Sequence, residues 1–339
     1  MKKIVFTGGG TAGHVMPNLA LIPYLNNYEI FYIGGSGIEK DIIKKQSNIT
    51  YFEIPTTKLK RSLSLSNLLI PFKLIKSITE AKKILRKIKP DIIFSKGGFV
   101  SVPVCIAGHN LKIPVITHES DYSLGLANKI ISNVADKVLY SFNINLKKGK
   151  KHIYTGTPIR RSLKYGNKNN IKGYNLLSKS KKTILVFGGS LGAKAINDFI
   201  ISNIDKILNK YNIILISGKG KTHAINKPHF LEVEYAENIS DYFDASDYIV
   251  SRAGSNAIFE ILALNKKALL IPLTTSSRGE QLDNAMYFKN KNKVDVLLEK
   301  DLDIDTFLTK LSLLDNLEPS KLDIDKTNLK IVKEINSLV

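Results

Sequence analysis

The chain has 339 residues, 43% of them hydrophobic, with a single cysteine and a formal net charge of +20. That length points to two domains, and the apolar content is enough for two packed cores, which excludes a disordered chain. One cysteine, Cys105, excludes an internal disulfide framework and reads as buried filler, and no run of about 18 apolar residues offers a membrane span.

The charge is uneven. Residues 1–163 carry 25 Lys and Arg against 9 Asp and Glu, a net +16, while residues 164–339 carry 25 against 21, a net +4. Compositional drift towards lysine would load both halves equally, so the asymmetry assigns an anionic partner, nucleic acid or membrane, to the first half.

Along the first half, short β-rich runs at 3–7, 29–33, 50–54, 91–95, 114–117 and 137–139 alternate with helical patterns around 15–26, 38–46, 67–87, 100–108 and 124–133. Alternation of this kind gives a parallel sheet covered on both faces. Residues 165–182, rich in Asn, Lys, Gly and Ser, read as a linker. The second half then begins again with an apolar strand at 182–187, a glycine turn and a helix at 193–208. Strands at 212–217, 231–235, 248–251 and 268–272 follow. The fold class is α/β, with two tandem doubly wound, Rossmann-like domains facing across a cleft. The expected divisions are 1–163, 164–325 and a C-terminal helix at 326–339 that packs back on the first domain.

Gly8-Gly-Gly-Thr-Ala-Gly13 fits G-x-G-x-x-G, whose glycines let backbone N–H groups approach a phosphate at a helix N-terminus. A dinucleotide site also needs an acidic residue closing the second strand, and that strand ends instead in Gly34-Gly35. The Walker pattern fails because Leu215 stands where its first glycine belongs before Gly220-Lys-Thr222. Gly97-Gly98 and Gly188-Gly-Ser-Leu-Gly192 add two further turns. Three such turns without those partners point to phosphate-bearing ligands of another sort. The six histidines lack metal-ligand spacing, and no G-x-S-x-G elbow occurs, so neither a metal nor a covalent nucleophile is expected.

Several segments in order resemble one family. They are Gly8-Gly-Gly-Thr-Ala-Gly-His-Val15, Lys96-Gly-Gly-Phe-Val-Ser101, His118-Glu-Ser-Asp121, Gly125-Leu-Ala-Asn-Lys129, Gly156-Thr-Pro-Ile-Arg160, Gly188-Gly-Ser-Leu-Gly-Ala193, Arg252-Ala-Gly-Ser-Asn-Ala-Ile-Phe-Glu260 and Gln281-Leu-Asp-Asn-Ala285. Together they resemble the MurG-type transferases, from the first strand to about residue 290. The resemblance implies the glycosyltransferase B fold and transfer of N-acetylglucosamine from UDP-GlcNAc to the C4 hydroxyl of the muramyl sugar of lipid I. The products are lipid II and UDP, formed with inversion and without a cofactor.

Carried onto this chain, the resemblance places Thr11, Ala12 and Gly13 near the donor and Asp121 at the sugar. It sets Arg160 and Ser190 on the donor diphosphate and Ala236 at the uracil edge. Glu260 takes the ribose, framed by Ser255, Asn256, Ala257, Ile258 and Phe259, and Gln281 takes the sugar hydroxyls. Ala12 departs from a more usual glycine, Asp121 from a more usual Asn, and Leu191 and Lys194 vary the second loop. Two residues compete as the general base. His14 starts a helix beside a glycine loop, and Glu119 is a carboxylate following a strand.

A lipid-linked acceptor requires work at the cytoplasmic face of the bacterial membrane, as a peripheral protein on an anionic surface. Residues 58–89 hold ten basic residues and one acid. Their apolar residues Leu63, Leu65, Leu68, Leu69, Ile70, Phe72, Leu74 and Ile75 suit an interfacial contact over 63–75. Phe72 is the only aromatic of 58–89, so nucleic acid is not the expected partner. The alternative is another UDP-sugar enzyme of the same fold, such as a non-hydrolysing UDP-GlcNAc epimerase.

Overall fold

The computed structural model describes the chain apart from residues 57–69, 145–149, 190–191, 275–278 and 319–321, and apart from the side chains of residues 70 and 71. It divides into two compact units, Met1–Arg160 with Ile324–Val339, and Arg161–Asp323. The first crossing thus lies at Arg160 and not at 163, and the returning C-terminal segment starts at Ile324 and not at 326.

The first unit runs β1 (Lys2–Thr7), α1 (Ala12–Leu21), β2 (Tyr28–Gly34), α2 (Ile38–Lys44), β3 (Thr50–Glu53), α3 (Ile70–Ile88), β4 (Ile92–Ser95), α4 (Ser101–Asn110), β5 (Val115–Glu119), α5 (Leu126–Val134), β6 (Lys137–Tyr140) and β7 (His152–Tyr154). Its seven strands are parallel in the order β3-β2-β1-β4-β5-β6-β7. The apolar run of β1 serves both faces, as buried parallel strands do. Ile4 and Phe6 join Ile30, Tyr32, Ile92 and Phe94 on one side, while Val5 joins Phe31, Ile33 and Ile93 on the other. The second side is covered by α3 through Ala81, Leu85 and Ile88, and buries Cys105. Sequence periodicity misses β7, whose three residues are exposed or half-buried and make no apolar run.

The second unit runs β8 (Thr183–Phe187), α6 (Lys194–Ser202), α7 (Ile204–Leu208), β9 (Asn212–Ile216), β10 (Phe230–Val233), α8 (Ile239–Asp244), β11 (Tyr248–Ser251), α9 (Ser255–Ala263), β12 (Lys267–Leu270), α10 (Glu280–Lys289), β13 (Asp295–Val296) and α11 (Ile304–Leu313). Its sheet is parallel in the order β10-β9-β8-β11-β12-β13. The helix expected at 193–208 breaks at Asn203, whose side chain donates to Phe199 O at 2.9 Å and so competes with the helical backbone.

The stretch read as a linker is ordered against α8. Asn167 N–H donates to Asp241 Oδ1 at 2.7 Å and Lys168 N–H to Asp244 Oδ2 at 3.0 Å. A β-carbon on Gly166 would sit 2.0 Å from Ser240 O, so its polar composition reflects close backbone packing.

The last helix, α12 (Ile324–Asn336), returns to the first unit. Ile331, Val332 and Ile335 enter the core beside Val15 and Leu21 of α1, each such burial contributing about 1.5–3 kcal/mol. Asn328, fully buried, bonds both backbone groups of Ile159. It accepts from Ile159 N at 3.1 Å and donates to Ile159 O at 2.8 Å. The end of the first unit before Arg160 is thereby fixed.

Candidate active site

Each sheet reverses its strand order once, between β1 and β4 in the first unit and between β8 and β11 in the second. Ligand sites in doubly wound sheets lie beyond the carboxyl ends of the strands at that switch. Of the described residues singled out from the sequence, 11–14 and 255–260 follow the switch strands β1 and β11, and the others lie at or beyond the carboxyl ends of other strands of the same sheets.

In the first unit, β1 leads into Gly8–Gly10 and then α1. Gly10 has φ +84° and Gly98 has φ +80°. A β-carbon on Gly98 would lie 2.5 Å from Gly9 O, so the two turns meet backbone to backbone and the position admits only glycine. Glu39, buried, holds the first turn. Its Oε2 accepts from Gly10 N–H at 3.1 Å and its Oε1 from Gly35 N–H at 3.0 Å. Tyr32 Oη donates to Gly8 O at 2.7 Å. Sequence reasoning missed Glu39, because Gly10, whose turn it holds, follows the neighbouring strand β1. With the Gly10 N–H given to a carboxylate, the loop is not set up as a dinucleotide-phosphate cradle.

Thr11 is exposed, and Ala12, Gly13 and His14 are half-buried on the first turn of α1. His14 Nδ1 lies 3.0 Å from Gly9 O and 3.2 Å from Thr11 Oγ1. A carbonyl only accepts, so Nδ1 carries the hydrogen, and the neutral ring keeps its lone pair on Nε2. Burial, and then the charge of Lys96, lower the pKa of His14 below the ordinary 6.5, against the Gly9 bond, Asp121 and Glu39. His14 is therefore neutral at pH 7 with Nε2 able to take a proton.

Glu119 ends β5 and is buried. Its Oε1 accepts from Asp121 N–H at 3.0 Å, and its Oε2 accepts from Gly125 N–H and Asn128 Nδ2 at 2.9 Å each. Gly125 is the N-cap of α5. This carboxylate is committed to shaping its own loop and the start of α5, which leaves Glu119 poorly disposed to act as a base. Asp121, half-buried on that loop, acts electrostatically on both His14 and Lys96. Arg160 is the half-buried last residue of its unit's main segment.

In the second unit, β8 leads into Gly188 and Gly189, the latter with φ +84°. Ser190 and Leu191 lie outside the described residues. A β-carbon on Gly192 would fall 2.2 Å from Ser217 O, so Gly192 packs against the residue that follows β9. β11 is followed by Arg252-Ala-Gly254 and the N-terminus of α9. Arg252 pairs with Glu299 and donates to Ile271 O at 3.2 Å, tying the ends of β11 and β12. A β-carbon on Gly254, the N-cap of α9, would meet nothing within 4 Å. Open backbone at a helix start suits an anionic group.

On α9, Ser255, Ile258 and Phe259 are buried, and Asn256, Ala257 and Glu260 are half-buried. Ala236 is buried just beyond β10. Gln281, half-buried on the first turn of α10, accepts from Leu273 N–H at 3.0 Å through Oε1. Among the described residues no group of three or more His, Cys, Asp or Glu is placed to hold a metal ion.

Two doubly wound units, each with candidate residues beyond the carboxyl ends of its strands, have the architecture of the two-domain nucleotide-sugar enzymes. Residues 4–140 match the glycosyltransferase family 28 N-terminal domain and residues 183–338 the family 28 C-terminal domain. The chain is 47% identical over 348 residues to the UDP-N-acetylglucosamine–N-acetylmuramyl-(pentapeptide) pyrophosphoryl-undecaprenol N-acetylglucosamine transferase of Clostridium botulinum (strain Langeland, type F). That match covers 97% of this chain and 98% of the relative. The enzyme of the same description from Clostridium tetani is 48% identical over 322 residues, covering 92% and 90%. The chain belongs to glycosyltransferase family 28 and, within it, to the MurG-type transferases.

Among solved structures, Acinetobacter baumannii MurG superposes with a TM-score of 0.77 at 21% identity, covering 99% of this chain and 100% of that one. A UDP-GlcNAc 2-epimerase from Neisseria meningitidis bound to UDP-GlcNAc superposes at 0.65 with 16% identity, covering 99% and 100%. At those identities both express a shared fold.

Proposed function

We propose that this chain transfers N-acetylglucosamine from UDP-GlcNAc to the C4 hydroxyl of the muramyl sugar of lipid I, giving lipid II and UDP in peptidoglycan synthesis. The observation that carries the reading is 47% identity, over 97% of the chain, to a transferase named for that reaction. The epimerase alternative has fold-level likeness alone to support it.

The first unit receives the acceptor. His14 Nε2 takes the proton from the C4 hydroxyl as its oxygen bonds the anomeric carbon, and the bond from that carbon to the diphosphate breaks with inversion. Glu119 shapes the loop that presents Asp121 to the sugar, and Thr11, Ala12 and Gly13 line the turn. The second unit holds the donor. Gly189 and the start of α9 receive the diphosphate, the role that the resemblance also gives to Ser190 and Arg160, Ala236 meets the uracil edge, Glu260 holds the ribose, and Gln281 reads the sugar hydroxyls. Charge then leaves on UDP towards helix N-termini and a guanidinium.

The enzyme works peripherally on the anionic cytoplasmic face of the membrane. The net +16 of residues 1–163 supports this, as do Phe72 and Ile75 of α3, 73% and 61% exposed. Leu74 instead packs on the core with Ile78 and Ile84. Residues 63–69 of the expected contact, with Leu63, Leu65, Leu68 and Leu69, lie outside the described residues, as does the Ile70 side chain.

UDP release, measured with and without a soluble lipid I analogue, tests the reaction. Acceptor-dependent release with a β-linked disaccharide product is expected. Interconversion of UDP-GlcNAc with its 2-epimer, without an acceptor, would refute the transfer reading.

A further inference from the structure

Lys96 directly follows β4 and is 1% exposed, a burial lysine rarely takes without built surroundings. Its backbone N–H bonds Thr7 O at 2.9 Å. Its β-carbon lies 3.3 Å from where a β-carbon on Gly8 would sit, and the His14 carbonyl oxygen lies 2.5 Å from the same point. Lys96 is thus wedged against the turn that carries His14. Its Nζ is 2.6 Å from His118 Nδ1 and 2.7 Å from Ser120 Oγ. His118 Nε2 in turn lies 2.8 Å from Gly156 O. Because that carbonyl only accepts, His118 carries its hydrogen on Nε2 and offers the Nδ1 lone pair to Lys96. One side chain therefore joins the turn after β1, the loop after β5 and, through His118, the segment after β7.

We propose that Lys96 is a positioning residue for the reaction: its side chain braces these three loops and sets its positive charge against the turn that carries the His14 imidazole. The inference rests on the reading of His14 as the base. Besides Lys96, the charged groups acting on His14 are Asp121 and Glu39, which oppose it, and those acting on Lys96 are Glu119 and Asp121. Burial brings Lys96 down to about 7. Burial lowers His14 as well, and Lys96 gains its charge as pH falls towards the range in which the imidazole titrates. Burial and the same cation push His118 well below its ordinary value, in keeping with the tautomer set by Gly156.

The test uses the full-length protein with ring-labelled histidines, titrated by NMR beside the pH profile of transfer. Lys96→Gln keeps a hydrogen-bond donor and removes the charge, whereas Lys96→Arg keeps a charge. In Lys96→Gln the His14 midpoint should rise and the acid limb of the rate profile should follow it, with up to about a tenfold loss below the limb per pH unit moved. Lys96→Arg should keep the wild-type midpoint. In the wild type, the His14 ring signals should show a second inflection as Lys96 loses its proton below the ordinary lysine range. An unmoved His14 midpoint in Lys96→Gln overturns the inference, as does an equal shift in both variants. Should either variant fail to fold, absence of the wild-type inflection overturns it alone. A midpoint that rises while the acid limb stays in place removes His14 as the base and leaves the effect of Lys96 on the ring standing.

Discussion

His14 Nδ1 faces the carbonyl oxygen of Gly9 at 3.0 Å, and that one contact decides which end of the ring is basic. The nitrogen towards the glycine turn is the donor, so the proton-accepting end is Nε2. His14→Gln should lower kcat by about 10²–10⁴-fold, the usual worth of a positioned base. Affinity for UDP, measured by calorimetry, should be unchanged. Full transfer activity in the variant would remove His14 from the chemistry.

Glu119 should behave differently. Its carboxylate satisfies Asp121 N–H, Gly125 N–H and Asn128 Nδ2. Glu119→Gln leaves at least one of these buried donors poorly paired, at a cost of about 1–3 kcal/mol. The thermal midpoint of the first unit should fall along with activity. A loss of kcat with an unchanged midpoint would make Glu119 the base instead.

Apart from the short edge strands β7 and β13, the strands and glycine turns were legible because buried parallel strands leave apolar runs and close backbone approaches demand glycine, as at Gly98 against Gly9. The tandem layout followed from the restart at β8. What stayed hidden depends on contacts distant in the chain. Glu39 looks like an ordinary helix residue until its carboxylate is seen to hold Gly10 and Gly35. Lys96 opens a motif in the sequence, but nothing there marks it as buried, and its partners Thr7, His118 and Ser120 come from β1, β5 and the loop after β5. His14 and Glu119 were equal candidates in the sequence, because the donors that occupy Glu119 come partly from Gly125 and Asn128, further along the chain.

Membrane attachment through α3 predicts a surface effect without a folding effect. Phe72 and Ile75 are exposed, so Phe72→Ser with Ile75→Ser should leave the circular dichroism spectrum and melting temperature as in the wild type. Each side chain buried in the interface would contribute up to about 1.5–3 kcal/mol. Co-sedimentation of the full-length variant with anionic vesicles should therefore fall by at least about tenfold at moderate salt. Binding by the wild type should weaken as salt rises, because its lysines act over a Debye length. Equal binding of wild type and variant across the salt series would place the contact elsewhere.

The two units should also respond differently to acid. In the first unit, His14 and His118 are held below 6.5 in the folded state. The unfolded chain therefore takes up their protons first as pH falls through 6.5, and stability declines from that point. Lys96, lowered to about 7 from 10.5, acts in the same sense at higher pH. The folded form releases that proton near 7 and the unfolded form only near 10.5, so stability rises with pH between those values. In the second unit, Asp315 is held below the usual 3.8 by its bonds to Lys182, Lys267 and Tyr248. Asp303, likewise lowered, caps α11. Their stabilisation is complete above the ordinary carboxylate range and is lost only as pH falls below about 4. Each first-unit group changes stability by at most about 1.4 kcal/mol per pH unit. The denaturant midpoint of β4 and its neighbours, read by pulsed hydrogen exchange and mass spectrometry, should fall steadily from pH 8.5 to pH 5. The midpoint of β11 and its neighbours should lose much less between pH 6.5 and 5. Parallel losses in both units over that acid range would show that the buried histidines and Lys96 do not govern the acid response.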